Sequence, residues 1–128
     1  MYKVEITTSF SAAHRLRDYN GKCERLHGHN YKVAVCVRAG SLGPGGMVID
    51  FGMLKAAANT VADRLDHMYL NDIPPFDILE PSAENIAEYF FEQVSKQLNE
   101  NGNMLYSVSI WESDTSCATF IGPLHSEV

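Results

Sequence analysis

The chain has 128 residues, 45% hydrophobic and 20% charged, with a formal net charge of −6. That length fits one domain, residues 1–128, with enough chain for a real core. The acidic balance argues against a nucleic-acid partner, though not against a local basic pocket for a small anion. Cys23, Cys36 and Cys117 are an odd number at low density, which argues against a disulfide framework. No secretory signal pattern and no bilayer-length apolar run is visible, so a reducing cytoplasm is expected and a membrane is not.

Residues 2–10 alternate, with Tyr2, Val4, Ile6, Thr8 and Phe10 on one side, which predicts a half-buried strand. Residues 15–26 are polar and read as an insertion, a kind of segment that often carries function. Residues 30–39 alternate again through Tyr31, Val33, Val35 and Val37, predicting a second strand paired with the first. Gly43-Pro44-Gly45-Gly46 is a turn, and Met47-Val48-Ile49 is a short extended piece.

The period then changes. Leu54, Ala58, Val61 and Leu65 predict a helix over 51–65. Residues 71–81, with Pro74, Pro75 and Pro81, predict a loop. Ser82 is placed to cap a second helix, with Glu84 where the helix dipole favours an anion. Ile86, Phe90, Val94 and Leu98 carry that helix to about 99, where Asn101-Gly102 ends it. Residues 106–111 and 117–122 read as two further strands, with Cys36 and Cys117 as buried small residues in strand patterns. The expectation is an α+β fold in ββααββ order, a four-stranded antiparallel sheet with two helices on one face. Its two open edges are a liability that oligomerisation would relieve.

The chemistry concentrates in a few places. In extended chain His27 and His29 face one side, so both imidazoles can reach one ion. Pairing of the first two strands brings His14, which follows the first strand, beside them. Three neutral imidazoles with an open fourth position suit catalytic zinc. Taken alone, the His27-Gly28-His29 pattern is equally compatible with incidental surface histidines. Cys23 reads as a thiolate base, a free surface thiol, or a fourth ligand that would close the site and make it structural. Asp66 can orient His67 for acid–base work, or the pair can simply cap a helix. Glu112 could hold a guanidine-like edge through two parallel hydrogen bonds, or stand exposed on its strand.

Six ordered segments resemble the 6-pyruvoyltetrahydropterin synthase and 6-carboxytetrahydropterin synthase family across nearly the whole chain. They are Phe10-Ser11-Ala12-Ala13-His14, Cys23 through Tyr31, Gly46 through Phe51, Leu65 through Asn71, Pro81 through Asn85, and Trp111-Glu112-Ser113. The resemblance implies a tunnelling fold, with sheets joined into a barrel in a homo-oligomer, a dimer of trimers, and active sites between subunits. It implies zinc on His14, His27 and His29, and catalysis by Cys23, Asp66 and His67. Glu112 is implied as the pterin-anchoring carboxylate, with Ser82 and Glu84 near the pterin. The implied substrate is dihydroneopterin triphosphate, and Lys22, Arg15, Arg17 and Arg25 are candidates to meet its phosphates.

The three-residue gap between Cys23 and His27 resembles the carboxytetrahydropterin branch on the queuosine route, which releases triphosphate and acetaldehyde. Glu24 resembles the glutamate of a branch that makes 6-hydroxymethyldihydropterin for folate, so a pyruvoyl-type or dual activity is the alternative. A non-catalytic pterin- or purine-binding oligomer and a structural zinc domain are the readings from other classes.

Overall fold

The computed structural model describes residues 1–22 and 24–123. Its elements run β1 (Tyr2–His14), β2 (His27–Ala39), α1 (Phe51–Leu65), β3 (Met68–Tyr69), α2 (Ala83–Leu98), β4 (Leu105–Ser113) and β5 (Ser116–Ile121), with short 3-10 turns between some of them. The expected four antiparallel strands are present in the order β1-β2-β4-β5. A fifth, β3, adds two residues to the outer edge of β1 in parallel. Sequence could not show it, because Met68-Tyr69 is too short for a period.

Both long strands outrun their alternation. β1 extends through His14 and β2 begins at His27, so the histidines lie in the ladder and not beyond it. Residues 11–14 and 27–30 are small or polar and carry no apolar signal of their own. They are extended because they pair with each other, down to His14 opposite His27.

That register fixes the faces. Partner numbers along β1 and β2 sum to 41, as in Tyr2 opposite Ala39, so even residues of β1 share a face with odd residues of β2. Ile6, Phe10, Ala12 and His14 therefore lie with Tyr31, Val33, Val35 and Val37 on the inner face, all buried. Val108 and Ile110 of β4 extend this face.

The helices cover it. Asp50 caps α1 by accepting from the Gly52 N–H (2.6 Å), and Ser82 caps α2 by accepting from the Asn85 N–H (3.2 Å). α1 buries Leu54, Ala58, Val61 and Leu65; α2 buries Ile86, Phe90, Val94 and Leu98. Each of these side chains except the small Ala58 stabilises the fold by about 1.5–3 kcal/mol. α2 stops at Leu98, where Asn99 turns left-handed (φ 53°) into a 3-10 turn over Asn99–Met104. Gly102 in that turn has no room for a side chain, since a Cβ would sit 2.6 Å from the Ser95 carbonyl oxygen.

The cysteines divide differently from expectation. Cys36 is buried, and burial pushes its thiol pKa up. Cys117 is exposed, because β5 is an edge strand and Cys117 is on its uncovered face. Among the described residues, no helix is long and apolar enough to cross a membrane.

Candidate functional site

At the end of the β1–β2 ladder the inner face changes from apolar to imidazole. Phe10 stacks on Tyr31 (4.7 Å), and the next layers are His29, then His14 with His27. The three rings stand edge to face, with centroids 4.7–5.0 Å apart. One ligand atom from each ring lies within 4.8 Å of the other two.

The outer nitrogens of two rings are already committed. His14 Nδ1 lies 2.7 Å from the Pro81 carbonyl, and His27 Nδ1 lies 2.7 Å from the Arg25 carbonyl. A carbonyl only accepts, so both rings carry their proton on Nδ1. Both Nε2 lone pairs are then bare, and they face each other at 3.2 Å. Two bare lone pairs at that distance repel unless a cation or a proton lies between them. Around a tetrahedral ion with Zn–N bonds of 2.0–2.1 Å, neighbouring nitrogens are roughly 3.3–3.4 Å apart. The third nitrogen, His29 Nε2, is buried and has no hydrogen-bond partner among the described residues. Burial pulls the His29 pKa below its ordinary value against the opposing field of Glu112, which keeps the ring neutral and ligand-ready. The donor set fits a divalent transition metal.

Glu112 enters from β4. Its Oε2 is 3.4 Å from His14 Nε2 and 3.3 Å from His29 Nε2, so its nearest partners are the metal-facing nitrogens. Tyr31 lies beneath, fully buried, with a hydroxyl that has no hydrogen-bond partner among the described residues.

Asp66 and His67 form a dyad elsewhere. Asp66 Oδ2 is 2.9 Å from His67 Nδ1, and Asp66 Oδ1 accepts the Ser11 N–H at 2.8 Å. The His67 N–H donates to the Ser11 carbonyl, which holds His67 at φ 61°. The Ser11 N–H, aided by His67, holds the Asp66 carboxyl below its ordinary pKa. The His67 side chain is 84% exposed. It lines an open cavity of about 470 Å³ with Ser11, Ala12, Ala13, Gly28, His29, Asn30, Met68 and Tyr69. Ser11, Ala13, Gly28 and Asn30 are the alternates that point away from the imidazole face, so the cavity opens chiefly on the other face of the ladder, with His29 at its border.

The remaining expected residues separate. Ser82 is spent as a helix cap, and Glu84 is exposed in the first turn of α2. Glu24 accepts the Leu16 N–H at 3.1 Å while its own N–H donates to the Leu16 carbonyl, so it closes the 15–26 segment on itself, 3.9 Å from His27 Nδ1. Arg17, a candidate for phosphate, is tied to Glu80 and to the carbonyls of Asn71, Phe76 and Leu79. Cys23 and His125 lie outside the described residues. Sequence reasoning missed Glu80, Asn71 and Tyr31, because their roles depend on which segment packs beside them.

The comparisons agree with this geometry. A family model described as 6-pyruvoyl tetrahydropterin synthase matches residues 3–123. The 6-carboxy-5,6,7,8-tetrahydropterin synthase of Synechocystis is 40% identical over 121 residues, covering 90% of this chain and 89% of that protein. The human 6-pyruvoyl tetrahydrobiopterin synthase is 35% identical, covering 94% and 91%. The solved structure of the Caenorhabditis elegans 6-pyruvoyl tetrahydropterin synthase superposes with a TM-score of 0.85 at 34% identity, over 95% of this chain and 96% of that one. Shared from the first strand to the last, the sequence and the sheet that holds the imidazoles make this chain a member of the 6-pyruvoyl tetrahydropterin synthase family.

Proposed function

We propose that the protein is a zinc-dependent lyase that converts dihydroneopterin triphosphate and one water to 6-carboxytetrahydropterin, releasing triphosphate and acetaldehyde on the route to a 7-deazaguanine. The observation that carries this reading is the set of three imidazoles whose ligand atoms lie within 4.8 Å of one another, two of them with Nδ1 committed to a carbonyl. The 40% identity to a named 6-carboxytetrahydropterin synthase favours that branch.

His14, His27 and His29 would hold the ion. Once bound, zinc supplies Lewis acidity toward the hydroxyls of the substrate side chain. Glu112, beside two of those nitrogens, can accept a hydroxyl proton at Oε2 or hold a ring edge of the pterin. Glu84 offers an exposed carboxylate at the start of α2, the second candidate for anchoring the pterin. Cys23 is assigned as the base by resemblance alone. Asp66 fixes the Nδ1 proton of His67 and leaves its Nε2 to exchange protons. Glu24 is assigned to closing its loop, not to proton transfer.

Because the dyad opens on the face opposite the imidazoles, His67 is best placed to serve the centre of a neighbouring copy. Paired sheet edges in a homo-oligomer, a barrel built as a dimer of trimers, would bring the two together. The test is direct. Incubate purified protein and zinc with dihydroneopterin triphosphate and identify the pterins. A carboxylated product with acetaldehyde supports the proposal. Only pyruvoyl- or hydroxymethyl-pterin overturns the branch, and no product overturns the enzyme.

A further inference from the structure

Four consecutive stations along residues 14–18 are tied to the 71–81 loop. The His14 ring meets the Pro81 carbonyl at Nδ1 (2.7 Å). Asn71, nearly fully buried, grips the Arg15 backbone from both sides: it accepts the Arg15 N–H (3.0 Å) and donates to the Arg15 carbonyl (2.9 Å). The Glu80 carboxylate accepts the Arg17 N–H (2.8 and 3.1 Å) and the Asp18 N–H (3.0 Å), and pairs with the Arg17 guanidinium at 3.1 Å. The Glu80 carbonyl in turn accepts from the Asn85 side chain (3.0 Å), which fixes the peptide to the start of α2. Burial works against the charge on Glu80, yet the Asp18 and Arg17 N–H donors and the guanidinium hold its pKa below the ordinary value.

From this we infer that Glu80 is a positioning residue for the candidate metal centre, an inference that rests on the metal reading above. Glu80 immediately precedes the residue whose carbonyl orients His14. Its carboxylate clamps the chain that leaves His14 toward His27. One side chain thus fixes the Pro81 carbonyl relative to the ring it must meet. Without Glu80 the 80–81 peptide keeps its tie to α2, while residues 15–17 stay joined to the loop through Asn71 and through the Arg17 guanidinium on the Asn71, Phe76 and Leu79 carbonyls. The Pro81 carbonyl and His14 Nδ1 are then held less tightly to each other. A carbonyl partner on the outer nitrogen sets the tautomer and basicity of a ligating imidazole, and losing such partners typically weakens metal binding 10- to 100-fold.

The test compares Glu80→Ala, Glu80→Gln and wild type in the full chain. Zinc affinity is measured by chelator competition, and the His14 Nδ1–H signal by nitrogen-15 NMR of the zinc-free protein. For Glu80→Ala the expected result is about a tenfold loss of zinc affinity and faster exchange of the His14 Nδ1 proton, with folded secondary structure retained. Glu80→Gln keeps one acceptor oxygen and should fall between. A folded Glu80→Ala whose affinity and His14 signal both match wild type overturns the inference. Should Glu80→Ala not fold, Glu80→Gln is judged by the same two readouts. If wild type takes up no zinc, the metal reading falls, and the His14 signal alone decides the role of Glu80.

Discussion

Metal binding should appear as stability, and His27 is the residue to remove. The His14 and His27 Nε2 atoms face each other at 3.2 Å, so the metal-free fold carries a local repulsion that an ion would convert to attraction. A ligand that binds only the folded state contributes about 2.7 kcal/mol when present at one hundred times its Kd. For a chain of this length, roughly 3–5 °C of Tm accompanies each kcal/mol. Zinc at that excess should therefore raise the Tm by about 10 °C. His27→Ala should abolish the zinc-induced shift. Its side chain is 36% exposed and its Nδ1 partner is the neighbouring Arg25 carbonyl, so the metal-free Tm should change little. Differential scanning calorimetry of both proteins, with zinc and with magnesium, reads the effect. Equal zinc shifts in wild type and His27→Ala would refute the three-imidazole centre.

Tyr31→Phe removes a buried hydroxyl without a partner, so the metal-free protein should hold its stability or gain about 1 kcal/mol in urea unfolding; a loss above that means the hydroxyl is satisfied in solution. The pKa of Asp66 is depressed on folding, so its stabilisation is present above its ordinary value of 3.8 and is lost as pH falls through the lower folded value. Asp66→Asn should accordingly flatten the acid limb of the stability–pH curve below pH 3.8, measured by urea midpoints. Gly102→Ala sets a methyl against the Ser95 carbonyl and should destabilise by about 1–3 kcal/mol in the same assay. If the dyad serves a neighbouring copy, inactive His27→Ala and inactive His67→Ala chains refolded together should recover about a quarter of wild-type turnover; no recovery means one chain holds the whole site.

The fold was legible wherever burial imposes a period. Leu54 to Leu65 and Ile86 to Leu98 had to be helices because their apolar residues recur at helical spacing, and the structure places both. The alternation from Tyr2 to Phe10 marked β1 equally well. It stopped four residues short, because Ser11 to His14 are extended through their partners on β2 and not through their own apolar content. β3 was invisible for a related reason: two residues hold no period, and the strand exists because His67 and Asp66 are hydrogen-bonded to Ser11. The three histidines could be named from the sequence because strand pairing and spacing bring them together. Glu80 and Asn71 could not. Each acts on backbone more than fifty positions away, through a loop whose path leaves no periodic trace.

One register explains why so short a stretch of ladder can supply two chemistries. In a β-ladder successive residues serve opposite faces, so a segment that must present ligands on one side is free on the other. Between His14 and Phe10, and between His27 and Tyr31, the inward alternates are imidazole or aromatic except for the small Ala12 opposite His29. The outward alternates, Ser11, Ala13, Gly28 and Asn30, are small or polar and line the cavity where His67 stands. A slip of one residue between β1 and β2 would turn the imidazoles of one strand outward and break both sites together. The apolar pairs further along the ladder, Ile6 with Val35 and Phe10 with Tyr31, make that slip costly by burying the same face under the helices. The hydrophobic core thus sets the alignment on which the candidate metal centre depends.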